Sequence, residues 1–511
     1  MMPESITVEI KDSSYLKIFC SYGVKDELSE FFKFFAPNYR FSPKYKNRLW
    51  DGCIRLFNKR DHTLPYGLWR LLLDFCKERG YQISLPENIT KKENIDTDEL
   101  KTFLRNLSFP DDIKPRDYQL KGLIKTIQKK RCTLVSATGS GKSLMIYMIE
   151  RWHHYKNPKC KTLVIVPTVN LVNQLESNYD EYSINQTTKP SLQKIYSGQD
   201  KRVTSNVVIS TWQSLQSLPE EFFEQFDVVI GDEAHGAKAK ELTRILTLCK
   251  NAYTKIGMTG SLDGSKVNEL VIVGLFGEVD RLTYSTDLMK KEQLAQLEIK
   301  CVILKYPEEE RKLAKKLLYQ DELSYIKAHR KRNSVVAKIA TANKSKNTLL
   351  LFRYIEHGKL LFKMIQEHPE AAGRSVYFIT GQTPSDERER IRIQAEKEKN
   401  CIIVASVGVF STGVNIKNLE VVILGTPVKS RVTILQSIGR SLRIGRSDKA
   451  VFYDIADDIS WKKYKNHTLR HFIQRLNIYM EEKFEHSITK ISLEGKNDKS
   501  TTKTDLQVNC F

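Results

Sequence analysis

One octapeptide constrains this chain more than any other feature. Ser136-Ala137-Thr138-Gly139-Ser140-Gly141-Lys142-Ser143 follows the apolar run Arg131–Val135 and precedes Leu144–Glu150. The first run reads as a short buried strand and the second as a helix, so the octapeptide is a small-residue turn between them. Glycines there let the backbone wrap an anion, and the N–H groups at the helix start point at it. Thr138, Gly139, Ser140 and Gly141 form the expected cradle. Lys142 is expected to reach the β- and γ-phosphates of a nucleotide, with the Ser143 hydroxyl on Mg²⁺. The strict pattern has glycine at position 136, where this chain has serine. Read blandly, the segment is only a strand–helix turn that needs glycine.

At 511 residues the chain is too long for one core, and about three domains are expected. Its 82 Lys+Arg against 61 Asp+Glu give a net charge of +21. That excess suits a polyanionic partner, nucleic acid before a membrane surface. Nine scattered cysteines contain no Cys-x-x-Cys pair, which points to a reducing compartment and away from a zinc site. No signal peptide is seen and no apolar run approaches the ~20 residues of a membrane helix. A soluble, cytoplasmic protein is expected.

Residues 1–90 read as a small α/β domain, with strands in 5–20 and 49–58 and helices over Asp26–Phe35 and Pro65–Gly80. Between Tyr39 and Arg60, Arg40, Lys44, Lys46, Arg48 and Arg55 alternate with Tyr39, Phe41, Tyr45, Trp50 and Phe57. Cations beside aromatics suit backbone contact plus base stacking, and Lys44, Lys46 and Arg48 are candidate DNA contacts. The competing reading places those aromatics in the domain's own core. Residues 91–112 read as a linker with a short helix over Leu100–Leu107. From 113 to 285, strands alternate with helices (Thr162–Val166, Val207–Ser210, Val228–Ile230, Lys255–Met258), which implies a parallel sheet covered on both faces. Residues 286–332, a strand over Leu294–Lys305 and one charged helix from Glu308 to about Arg332, read as an inter-domain connection. A second α/β series fills 333–488 and ends in a helix with Leu469, Phe472, Ile473 and Leu476 on its packing side. Residues 489–511 read as a disordered tail.

Val228-Val229-Ile230 runs into Asp232-Glu233-Ala234-His235, about ninety residues after the phosphate loop. A carboxylate at the end of a buried strand is where Mg²⁺ needs a second protein contact, which selects Asp232. Glu233 is the candidate base for the attacking water. With the phosphate loop, this segment resembles the superfamily 2 helicases, and further motifs match in family order. The resemblance implies two RecA-like domains after the small α/β domain. It also implies adenine reading by Gln119, nucleotide contact by Gln436, and strand contacts by Thr168, Thr211, Trp212, Arg353, His357, Thr380 and Thr412. His235, Thr259 and Ser261 would couple nucleotide state to strand grip. In Gln436-Ser437-Ile438-Gly439-Arg440-Ser441-Leu442-Arg443, Arg443 is the candidate arginine finger with Arg440 beside it. A guanidinium offered by a second domain clamps phosphoryl oxygens only when the cleft closes, which ties hydrolysis to motion.

Tyr39-Arg40-Phe41-Ser42-Pro43, Trp50-Asp51-Gly52-Cys53-Ile54-Arg55-Leu56 and Leu64-Pro65-Tyr66-Gly67-Leu68 resemble the UvsW recombination helicases of T4-like bacteriophages. The resemblance implies an ATP- and Mg²⁺-dependent motor on branched and single-stranded DNA: Holliday junctions, D-loops, R-loops with their RNA, and stalled forks. A monomer in the host cytoplasm, with phage recombination or single-strand-binding proteins as candidate partners, is the matching expectation. That family has Asp-Glu-Cys-His where this chain has Asp-Glu-Ala-His, a change at Ala234 outside the chemistry. An RNA helicase, a restriction-system motor subunit and a nucleic-acid-binding regulator with an idle ATP fold are the alternatives.

Overall fold

The structure is a computed structural model. It describes residues 4–36, 39–187, 189–196, 199–234, 239–262, 266–292, 294–315, 317–412, 416, 418–441 and 449–494. These form two compact units, one from the described residues within 4–136 and 141–283, the other from those within 284–494 together with 137–140.

In the first unit, β1 (Ser5–Ile10) and β2 (Tyr15–Phe19) make an antiparallel hairpin. β3 (Lys33–Phe35) and β4 (Cys53–Arg55) form a separate two-stranded ribbon. β5 (Thr63–Pro65) and β6 (Gln82–Ser84) complete a four-stranded sheet in the order β5-β2-β1-β6. The helix expected over Asp26–Phe35 is Tyr22–Phe31, because Lys33–Phe35 leaves it to pair with β4. Helix Trp69–Arg79 packs Leu72, Phe75 and Cys76 onto the sheet.

The larger sheet of this unit contains β7 (Arg131–Ser136), β8 (Thr162–Val166), β9 (Leu192–Ile195), β10 (Val207–Thr211), β11 (Val228–Gly231), β12 (Thr254–Thr259) and β13 (Val279–Thr283). All are parallel, in the order β13-β7-β12-β11-β8-β10-β9. Every residue of β8, β10, β11 and β12 is buried, as a sheet covered on both faces requires. Helix Thr97–Asn106 is not part of a free linker. Leu100, Phe103 and Leu107 are buried in this core, with Phe103 edge-on to Trp152 at 5.1 Å.

The two sheets of this unit are locked together. Lys255 Nζ, 1% exposed, donates to Ser14 Oγ (2.7 Å) and Leu246 O (2.8 Å). Ser13 Oγ donates to Cys249 O, and Arg131 to Ser13 O. Leu270 and Val273 join the small sheet's core. A Cβ at Gly67 would lie 1.8 Å from Val273 O, so only glycine permits this approach.

The second unit holds β14 (Gln296–Lys305), β15 (Thr348–Phe352), β16 (Val376–Ile379), β17 (Ile402–Ser406), β18 (Val421–Leu424), β19 (Lys449–Asp458) and β20 (His486–Ser492). They are parallel in the order β16-β17-β15-β18-β19-β14-β20. Two expectations are thereby corrected. β14 is a full member of this sheet rather than a connection, and β20 occupies the start of the expected tail; residues 495–511 lie outside the described residues. The expected Glu308–Arg332 helix is three helices, Glu308–Ala314, Tyr319–Ala328 and Arg330–Thr341. Buried ion pairs Arg475–Asp454 (2.7 Å) and Arg332–Asp457 (3.2 Å) tie helices to β19. Seven of the eight described cysteines are buried thiols, and Cys20 is half-buried. No helix among the described residues is long and apolar enough to cross a membrane.

Candidate active site and nucleic-acid surfaces

In an open parallel sheet, ligands bind beyond the carboxyl ends of the strands. The register of the first large sheet puts Thr211 opposite Val166, Gly231 opposite Ile165, and Thr259 opposite Val135. The phosphate loop, Thr168, Thr211, Trp212, Asp232, Thr259 and Ser261 therefore leave the sheet at one edge.

The loop leaves β7 at the buried Ser136 and turns through Ser140 N–H to Ala137 O (3.0 Å). Thr138 is half-buried, Gly139 is exposed, and the Ser140 side chain is buried. Gly141, at φ +77°, caps helix Lys142–Lys156, whose first turn has no acidic residue. The positive end of that helix is therefore not neutralised from within its own first turn. Ser143 is the second helical residue. Gln119, 3% exposed, accepts from Arg116 N–H (2.8 Å) and donates to Gly141 O (3.3 Å). A Cβ at Gly141 would lie 2.5 Å from Gln119 Nε2, so the glutamine lies directly on the loop.

Asp232 N–H donates to Ile165 O (2.8 Å) and Ala234 N–H to Met258 O (3.0 Å), fixing the acidic turn to both neighbouring strands. Glu233 has φ +48°, a strained value for a residue with a long side chain. Its N–H donates to Asp232 Oδ1 (2.9 Å), and its Oε1 lies 3.4 Å from Lys142 Nζ. Burial raises the Asp232 carboxyl to about 6, with repulsion from Glu233 adding and Lys142 opposing. A divalent cation would relieve that cost, and a hydroxyl plus a carboxylate are the hard oxygen donors Mg²⁺ prefers. Among the described residues no cluster of three or more His, Cys, Asp or Glu could hold a metal alone. Two protein donors supplemented by phosphate oxygens fit Mg²⁺ arriving with a nucleotide.

The remaining expected residues divide by environment. Thr168 and Thr211 cap the helices that follow their strands, accepting from Leu171 N–H and Ser214 N–H. Trp212 packs on the core. Thr259 Oγ1 donates to Ser261 O (2.7 Å) and accepts from Ser261 N–H (3.3 Å), closing a buried turn at the end of β12. In the second unit, Arg353 is exposed beyond β15, and Thr380 caps a turn beyond β16 by accepting from Gln382 N–H (3.2 Å). His357 requires correction. It is 4% exposed, with Nδ1 3.0 Å from Thr426 Oγ1 and Nε2 3.1 Å from Asn333 Oδ1, so both ring nitrogens serve the interior and neither can reach a strand. Thr412 lies on helix Val407–Thr412, and Gln436 and Arg440 on helix Arg431–Ser441. His235 and Arg443 lie outside the described residues.

On the small domain, the aromatics between β3 and β4 lie outside its core, which is built from residues such as Ile6, Leu16, Phe57 and Phe75. Phe41 is 76% exposed and Leu49 78%. Phe35, which the sequence alone did not single out, stacks on Tyr39 at 4.6 Å, and Tyr39 meets Tyr45 edge-on at 4.8 Å. Lys44, Lys46 and Arg48 are exposed beside them.

Comparison with known proteins agrees with this geometry. Residues 5–86 match the family described as DNA helicase UvsW, N-terminal. Residues 112–263 match Type III restriction enzyme, res subunit, and 330–445 match Helicase conserved C-terminal domain. The ATP-dependent DNA helicase uvsW of Enterobacteria phage T4 is 34% identical over 508 residues, covering 96% of this chain and 100% of that protein. The crystal structure of T4 UvsW superposes with a TM-score of 0.52 at 32% identity, over 96% of this chain and 100% of that one. The DNA 3'-5' translocase XPB2 of Sulfurisphaera tokodaii is 25% identical over 399 residues, 70% of this chain and 84% of that protein. With its two seven-stranded RecA-like sheets and its phosphate loop, the chain belongs to the UvsW family of superfamily 2, the ATP-dependent DNA helicases.

Proposed function

We propose that this helicase remodels branched DNA, namely Holliday junctions, D-loops, R-loops and stalled forks, in recombination, replication and repair. The observation that carries the reading is the ribbon β3–β4 and the segment joining its strands, where Phe35, Phe41 and Leu49 are exposed beside Lys44, Lys46 and Arg48. Cations hold the phosphate backbone, and exposed aromatics favour bases already unpaired, as at a branch.

In the proposed chemistry, Gln119 and Gln436 contact the nucleotide, the loop from Thr138 to Gly141 cradles its phosphates, and Lys142 bridges them. Lys142 cannot serve Glu233 and the phosphates equally. As its charge moves to the phosphates, Glu233 becomes the acceptor that orients water and takes its proton. That water adds to the γ-phosphorus as the bond to the ADP oxygen breaks. Ser143 and Asp232 would hold Mg²⁺, which supplies charge neutralisation between the phosphate oxygens. Arg443, with Arg440, clamps the transferring group. Thr168, Thr211, Trp212, Arg353, Thr380 and Thr412 line the strand path, while His235, Thr259 and Ser261 relay nucleotide state to it. The small domain (1–90) selects the substrate and the RecA-like domains supply motion, in a monomer acting in the host cytoplasm beside single-strand-binding proteins.

The test is ATP hydrolysis without nucleic acid, then with single-stranded DNA, a four-way junction, a linear duplex and RNA, together with the unwinding rate of the junction against that of the linear duplex. Stimulation by DNA above RNA, with junctions unwound faster than linear duplex, is expected. Equal rates on junction and linear duplex would remove the branched-DNA reading.

A further inference from the structure

A cavity of about 480 Å³ lies between the small sheet and the first large sheet of the same unit. That volume is within the range of small-molecule sites, about 300–1,000 Å³. Its walls carry six cations against two carboxylates, Glu93 and Glu278. Glu278 is engaged by Arg70 (2.9 Å) and Lys129 (3.2 Å), and Glu93 by Lys130 (3.1 Å). Lys91, Lys92 and Arg131 are left without a carboxylate in ion-pair contact among the described residues. Arg131 is the most telling. Its guanidinium donates to the carbonyls of Ser13 and Leu275 and lies 4.5 Å from the centre of the Tyr66 ring. Burial lowers it to about 10, with only partial relief from Tyr66 and Asp12. Arg70 similarly lies 4.6 Å over Trp69. The walls are held in place: Glu93 N–H donates to Gln128 O (3.1 Å), and Gly67 abuts the backbone at Val273.

We propose that this cavity binds a phosphate group through Lys91, Lys92 and Arg131, at a site separate from the phosphate loop and from the ribbon at Lys44–Arg48. Both polyanions this enzyme handles, DNA and nucleotide, carry that group. It reaches the cavity either on a free nucleotide, for which dTMP serves as the probe, or in a DNA strand.

The test uses the full chain with its ATP site saturated by a non-hydrolysable ATP analogue. dTMP is titrated by calorimetry, and a labelled oligothymidylate by anisotropy over a series of salt concentrations. The double variant Lys91→Glu, Lys92→Glu is compared with wild type and with a control, Lys77→Glu, Lys121→Glu, whose residues are exposed and outside the cavity. dTMP binding that weakens at least tenfold in the first variant alone identifies a free nucleotide as the source. Silent dTMP, with oligonucleotide affinity down about tenfold and a salt slope shallower by about 1.4, identifies DNA, since each lost single-strand contact contributes about 0.7. Unchanged binding, or an equal loss in the control, overturns the proposal. Equal junction preference in all three proteins leaves the ribbon's proposed role separable from this one.

Discussion

Replacing Lys255 by Met should change how the stability of the first unit depends on pH. Lys255 is 1% exposed and reaches only Ser14 Oγ and Leu246 O. Burial, with repulsion from Arg131, lowers its ammonium from 10.5 to about 7, while Cys249 and Asp12 offset this in part. Between those values the unfolded chain holds a proton that the folded chain has released. Stability from this residue therefore rises with pH across that window, is independent of pH above about 10.5, and reaches its minimum below about 7. Each pH unit inside the window contributes about 1.4 kcal/mol, so wild type should gain about 2.5 kcal/mol over Lys255→Met between pH 7.5 and 9.5. Met fills a similar volume, and Leu246 O keeps the Ser14 hydroxyl as a donor at 3.1 Å, so no new buried acceptor is orphaned. Hydrogen exchange of the β7 and β12 amides isolates this unit. Parallel curves for the two proteins would mean that Lys255 is not desolvated and that the small sheet is not seated as described.

Lys142→Ala should lose ATP binding, whereas Glu233→Gln should keep it and lose turnover by about 10²–10⁴, read by equilibrium nucleotide binding beside steady-state hydrolysis. Arg443→Ala should retain nucleotide and DNA binding and lose about 10³ or more in hydrolysis rate; a loss of only about twofold transfers the finger to Arg440. His357→Ala should destabilise the second unit by about 2 kcal/mol, since it strips partners from buried Asn333 and Thr426, while DNA affinity of the folded protein is unchanged.

The central strands were legible because a sheet buried on both faces needs continuous apolar runs. Thr162–Val166, for example, is read to the residue. The edge strand β9 was not, since Leu-Gln-Lys-Ile is only partly buried and carries no such signal. β14 was recognised as a strand but not as a sheet member, because its partners β19 and β20 lie more than a hundred residues away. The terminal helix was read with its face turned: Ile473 is 36% exposed, and Arg475 is buried because Asp454 satisfies it. Ionic pairing across a fold leaves no trace in apolar periodicity. The place of His357 in a family motif points to a strand contact, and a motif does not show that Thr426 and Asn333 hold the ring in the interior. In the candidate site, the phosphate loop and acidic turn were plain from spacing. The exposure of Phe35 and Phe41 was not, since composition cannot separate a core aromatic from a displayed one.

The most direct test of the account is the ratio of four-way-junction to linear-duplex unwinding in the full chain carrying Lys44→Glu, Lys46→Glu and Arg48→Glu. Deleting residues 1–90 would be a poorer test, because it would strip the partners of Lys255, Leu270 and Val273 from the first unit. The triple variant is expected to keep ATP hydrolysis stimulated by single-stranded DNA, while its junction preference falls at least tenfold and its junction binding becomes less salt-dependent. A variant that unwinds junctions with the wild-type preference would contradict the account.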